Sequence, residues 1–109
     1  MLEALLGSIN RERVLIFLHS RSQGYAREIA RFFTTNLNQI QKQLERLEQG
    51  GIVYNKLVGK TRLYSINPRY PFLKELQALL DKALTFYPNE EVERLITIRK
   101  RPRRKGKPL

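Results

Sequence analysis

Five amide side chains fall within eight residues, at Asn36, Asn38, Gln39, Gln41 and Gln43. An amide donates and accepts a hydrogen bond at once, which matches the N6/N7 edge of adenine in a major groove as an ammonium cannot. Lys42 and Arg46 follow a turn or more later, and cations there suit phosphates or guanine edges. Leu37, Ile40, Leu44 and Leu47 recur at helical spacing, so the segment reads as one amphipathic helix. With that stripe facing inward, Thr35, Asn38, Lys42, Arg46 and Gln49 project outward, and Asn36, Gln39 and Gln43 lie on the flanks. A solvated helix rich in Asn and Gln would have the same composition. Taken alone, the segment leaves groove reading and a plain solvent face both open.

The neighbouring elements bear on that choice. Thr35 or Asn36 can cap the amide-rich helix, and Gly50-Gly51 supplies the left-handed residue that ends it. Before it, YAREIARFF places Ile29, Phe32 and Phe33 on one stripe, which predicts a short helix from about Ala26 to Phe33. Earlier still, Ser8 or Asn10 can cap a helix reaching about His19, and SRSQG after it is a turn by composition. After it, IVYNKLVGKTRLYSIN is rich in β-branched and aromatic residues around Gly59-Lys60. That pattern predicts a β-hairpin with Gly at the first turn position, pairing Val58 with Thr61, Leu57 with Arg62 and Lys56 with Leu63. Lys60 and Arg62 make its tip basic. Beyond Asn67-Pro68 and Pro71, the broad stripe Phe72, Leu73, Leu76, Leu79, Leu80, Ala83 and Leu84 predicts a helix with more apolar surface than one buried face needs.

Two helices joined through Phe33-Thr34-Thr35 and followed by a hairpin have the order of a winged helix-turn-helix. The expected class is mainly α with a small β-hairpin (α+β): a three-helical core, a wing at 56–62 and a further C-terminal helix. The second helix of the pair, 36–49, is the one such a fold places in the major groove. The expected organisation is one domain over 1–87, a short helix or linker over 88–98, and a disordered basic tail over 99–109.

The net charge is +11, and seven of the cations lie in the last eleven residues. They are Arg99, Lys100, Arg101, Arg103, Arg104, Lys105 and Lys107. The remaining 98 residues carry fourteen Lys/Arg against ten Asp/Glu, so the tail makes the chain strongly basic. Such a tail favours a polyanion through counterion release, although it also serves solubility. No Cys is present, which excludes disulfides and thiolate metal sites. His19 is the sole histidine and reads as structural. No glycine-rich phosphate loop, carboxylate cluster or His pair occurs, so neither catalysis nor a cofactor is expected. The acids Glu3, Glu12, Glu28, Glu45, Glu48, Glu75 and Asp81 are expected mostly on solvent sides of helices. MLEALLGSINRER lacks the character of a signal peptide, and no run approaches the ~20 apolar residues of a membrane span. A cytoplasmic location without membrane contact is expected.

From YAREIAR, LNQIQKQLERLEQGGIV and GKTRLYSINP, the chain resembles the ArsR-type winged helix-turn-helix regulators over about residues 5–87. Within them it is most similar to a metal-independent branch associated with nucleotidyltransferases. The resemblance implies a homodimer formed by the first and last helices, through Leu2, Leu5, Leu6, Phe72, Leu76, Leu79, Leu80 and Leu84. It also implies DNA contact by the 36–49 helix and a wing around Lys60 reaching the backbone or minor groove. Relatives usually have Gly between the paired helices where this chain has Thr34, so the turn must form without it.

Double-stranded DNA and a second copy of the chain are therefore the expected partners. Two other readings stay open: a winged-helix module that binds a partner protein such as an associated enzyme, and a non-specific or architectural nucleic-acid binder. RNA is disfavoured because Tyr54 and Tyr64 are scattered and build no stacking platform.

Overall fold

The computed structural model describes residues 1–100, with side chains up to Ile96. Nine elements follow in order: α1 (Glu3–Leu6), α2 (Ile9–Arg21), β1 (Gly24–Tyr25), α3 (Ala26–Phe33), α4 (Leu37–Gln49), β2 (Val53–Val58), β3 (Thr61–Ile66), α5 (Leu73–Leu84) and α6 (Asn89–Lys100).

Helix α2 is the axis of the molecule. Val14, Leu15, Ile16, Phe17 and Leu18 are consecutive, so they point all round the helix, and all are buried. A helix can be apolar on every side only where neighbours surround it. Here α3, α4, α5, α6 and the sheet all pack against it. Ser8 caps its start, its hydroxyl accepting from the backbone N–H groups of Asn10 at 3.1 Å and Arg11 at 3.3 Å. Gly7, at φ +92°, separates α1 from α2.

The hairpin forms in the expected register: Val58 opposite Thr61, Leu57 opposite Arg62 and Lys56 opposite Leu63. Gly59 takes φ +64°, a left-handed value that suits the first position of a hairpin turn. The sheet has a third strand that hydrophobic alternation does not announce. β1 pairs antiparallel with β3, giving the order β1-β3-β2. Gly24 is needed there because of its proximity to α2. A Cβ at that position would lie 2.6 Å from Cε1 of Phe17, inside contact distance.

α6 is a packed element. Leu95 is fully buried, and α6 lies against α2, so the segment expected as a short helix or linker belongs to the body. The helix also runs on to Lys100, past the boundary expected at 98. The side chains of Arg99 and Lys100, and residues 101–109 with Arg101, Arg103, Arg104, Lys105 and Lys107, lie outside the described residues.

One acid departs from the solvated-helix expectation. Glu12 is buried at 1% exposure. Its carboxylate accepts from the Leu2 backbone N–H at 2.7 Å and from the Tyr87 hydroxyl at 2.7 Å, and faces the N-terminal ammonium at 3.4 Å. This knots the start of the chain, α2 and the α5–α6 corner together. A buried carboxylate is tolerated because donors surround it. Burial, and then the bond to Glu12, push the Tyr87 phenol well above its usual range. His19 is half-buried and joins α2 to α5 through Nε2 and Asp81 Oδ1, 2.6 Å apart, in keeping with a structural role.

Candidate nucleic-acid interface

The entry into α4 is made by three residues with separate jobs. Thr34 adopts a left-handed backbone, φ 52° and ψ 53°, and its N–H and that of Thr35 close α3 onto Arg31 and Ala30 carbonyls. The turn is thus made by a β-branched residue in a conformation that costs an L-residue about 1–2 kcal/mol. Thr35 is half-buried, its hydroxyl lying 3.4 Å from Asn10 Oδ1. Asn36 caps α4: its Oδ1 accepts from Asn38 N at 2.8 Å and Gln39 N at 3.3 Å.

Ile40, Leu44 and Leu47 are buried as the stripe requires. Asn38, Gln39, Lys42 and Arg46 are exposed. Asn38, Lys42 and Arg46 stand four residues apart, so they form a file along the outer face with roughly 6 Å between steps. Arg46 also borders the apolar groove toward α5, at the edge of this face.

Three of the amides and cations expected at the interface are committed elsewhere. Gln43 is buried at 4% exposure, where its Oε1 accepts from Arg11 Nε at 2.9 Å. It therefore offers nothing to a groove. Arg11 crosses from α2, also donating to Leu6 O at 2.6 Å, and covers the α4 flank on which Gln43 sits. Asn36 has its carbonyl oxygen in the cap and keeps only its NH2 free. Arg62 is exposed, but its Nη1 donates to Asn55 Oδ1 at 2.9 Å, while Asn55 Nδ2 donates to Glu48 Oε2 at 2.9 Å. That chain ties the wing to α4. Lys60 stands exposed at the turn.

The structure adds residues that composition did not mark. A cleft of about 370 Å³ between α3, α4 and the wing brings Arg27 beside Gln41, Glu45, Lys60 and Arg62. Arg27 is exposed in the first turn of α3. Its position in YAREIAR contains no periodic signal, and only the tertiary approach of the wing brings it to this face. The cluster is basic apart from Glu45, and the positive end of α3 adds to it.

The residues expected at a dimer interface divide in two. Leu80 is fully buried in the chain's own core and has no surface left for a second copy. Leu2 and Leu84 are half-buried and packed on that core. Leu5 is 68% exposed and Phe72 61% exposed. With Leu6, Tyr70, Leu76 and Leu79 they line a groove of about 480 Å³, so an apolar face is left over after the core has formed.

The architecture is a winged helix: a helical body with a small three-stranded antiparallel sheet. Among solved structures it matches a double mutant of ZitR from Lactococcus lactis in its apo form. The TM-score is 0.55 at 15% identity, over 89% of this chain and 82% of that chain. No family model matches the sequence, and neither does any curated protein. The likeness at that identity is one of fold. Among the described residues no helix is long and apolar enough to cross a membrane, and no group of three or more His, Asp or Glu side chains could hold a metal ion.

Proposed function

We propose that this protein is a sequence-specific double-stranded DNA-binding transcriptional regulator that works as a homodimer. The observation that carries the reading is the outer face of α4. An amide-bearing first turn, Asn38 and Gln39, leads into Lys42 and Arg46, all four exposed, on the second helix of a helix-turn-helix. That is the element and the end of it that such folds present to base edges. Asn38 and Gln39 read bases, while Lys42 and Arg46 meet phosphates or guanine edges. Lys60 on the wing and the cations of 99–109 reach the backbone or minor groove. Arg27 joins Lys60 at the backbone. The leftover apolar face of α1 and α5 pairs with its copy, since two-fold pairing is the commonest way to bury such a face. The resemblance to the nucleotidyltransferase-associated branch of ArsR-type regulators supports the same assignment, and the uncommitted apolar face also suits a partner protein.

The division of labour is tested by fluorescence anisotropy on preferred and random duplexes across a salt series. Replacing Asn38 or Gln39 by Ala is expected to cost about 1–3 kcal/mol at one preferred base pair. Removing 99–109 weakens all sequences alike and flattens the log–log salt slope by roughly 3–4 units if about four phosphates are met. Identical behaviour of the two variants on both duplexes would contradict the assignment.

A further inference from the structure

A second cleft of about 500 Å³, which shares Arg27 and Thr61 with the one beside the wing but has no α4 residue in its lining, opens between α3, α6 and the start of β3. Its lining holds four arginines, Arg21, Arg27, Arg31 and Arg94, against one acid, Glu28. The floor is built rather than incidental. Arg21 is buried and held by Leu95 O at 3.0 Å and Arg94 O at 3.3 Å, with its guanidinium 5.1 Å from the Phe32 ring. Arg94 lies over the same ring at 4.3 Å and donates to Phe32 O at 3.3 Å. Glu28 is already committed, accepting from the Tyr25 backbone N–H at 3.2 Å and from Arg21 at 3.4 Å.

Arg27 and Arg31 differ. They stand four residues apart on α3, both are exposed, and neither makes a hydrogen bond or ion pair among the described residues. Like charges at that spacing repel, and two further guanidinium groups border the same cleft. The arrangement is electrostatically unfavourable when empty and favourable when an anion sits in it.

We infer that this cleft is a binding site for a small phosphorylated molecule, whose phosphate or pyrophosphate group is clamped by Arg27, Arg31 and Arg94. Guanidinium forks match phosphate oxygens in pairs. The volume falls in the range of small-molecule sites, roughly 300–1,000 Å³. The base of the cleft, Arg21 and Phe32, is buried, while the three clamping arginines stand exposed around it. A small molecule seated in the concavity can meet all three at once; a DNA phosphate on the same arginines is the outcome that the test separates. The occupant would touch the wing at Thr61 and α6 at Arg94 together, and so would bear on the placement of the wing.

The test uses the full chain and inorganic pyrophosphate at constant ionic strength, read by thermal melting and by titration calorimetry. It reads the cleft whether or not the protein binds DNA. The expected result is a saturable rise in Tm with one site per chain. Arg27→Ala and Arg31→Ala should each weaken binding about tenfold or more, while the unliganded variants melt at the wild-type temperature or slightly above it, since each loses a like-charged neighbour. Lys42→Ala on α4 should leave it unchanged. No saturable rise would overturn the proposal, as would Lys42→Ala weakening it equally, which would mean general polyanion attraction. If pyrophosphate leaves melting unchanged while Arg31→Ala flattens the salt dependence of duplex binding, the cleft seats a DNA phosphate and the proposal is wrong, though the DNA reading stands.

Discussion

Asn36 offers a perturbation whose consequences for stability and for DNA binding separate. Its Oδ1 accepts from two of the backbone N–H groups that open α4, on Asn38 and Gln39. Those groups have no partner within the helix. Asn36→Ala removes the acceptor and is expected to cost ~1 kcal/mol, within the usual range for such caps. For a domain of this size, that lowers Tm by about 4–8 °C. Asn36→Asp keeps the acceptor and sets a negative charge at the positive end of the helix, so stability should hold or rise by about 0.3–1 kcal/mol. DNA binding should respond the other way. In the proposed pose the first turn of α4 enters the groove between phosphates. A carboxylate there meets repulsion of about 1 kcal/mol near the surface, roughly a fivefold loss of affinity that shrinks as salt rises. Thermal melting by circular dichroism and anisotropy at two salt concentrations read the two effects. If Asn36→Ala melts with the wild type, the cap does not form. If Asn36→Asp binds DNA as tightly as wild type at low salt, the first turn of α4 does not face phosphates.

Thr34→Gly should stabilise the protein by about 0.5–1 kcal/mol, because it relieves the left-handed strain at φ 52° against a smaller loss from the more flexible unfolded chain; an unchanged or lower melting temperature would count against that turn geometry. The raised folded pKa of Tyr87 means its contribution is fully present below about pH 10, where the unfolded phenol is also protonated, and is lost as pH climbs above that. Tyr87→Phe should therefore flatten the alkaline fall of stability, while costing about 1–3 kcal/mol at neutral pH because a Glu12 oxygen loses its donor; denaturant melts at several pH values check both. Leu5→Glu with Phe72→Glu, on side chains exposed in the single chain, should give a monomer in light scattering with the fold intact by circular dichroism. Leu80→Ala at the buried neighbouring position should instead cost about 2–5 kcal/mol of stability.

Much of the fold was legible because local rules and tertiary packing agree. The Gly59 turn alone sets the hairpin register, since one slipped residue would reverse every side chain. Ser8 and Asn36 sit where caps belong, and the Ile40, Leu44 and Leu47 stripe is the buried face of α4. β1 was not legible because two residues carry no periodicity; it exists because β3 presents a free edge beside Gly24. Gln43 was misassigned for a related reason. Its flank of α4 is solvent-facing on an isolated helix and is closed only by Arg11 from a helix 32 residues earlier. Glu12 and Leu80 show the same limit. Whether a helix face is solvated depends on which other elements arrive there, and α6 and the chain's first residues arrive from opposite ends of the sequence. At the candidate interface, the outward set of α4 followed from helical spacing, whereas Arg27 required the wing to be placed first.

The most direct test of sequence-specific DNA binding is selection from a random duplex library, with purified full-length protein at moderate salt and excess competitor. A two-fold symmetric motif, with half-sites about one helical turn apart, is the expected result. Tight, salt-sensitive binding with no sequence enrichment would contradict it, and would leave the exposed amides of α4 as a solvated face beside a basic tail.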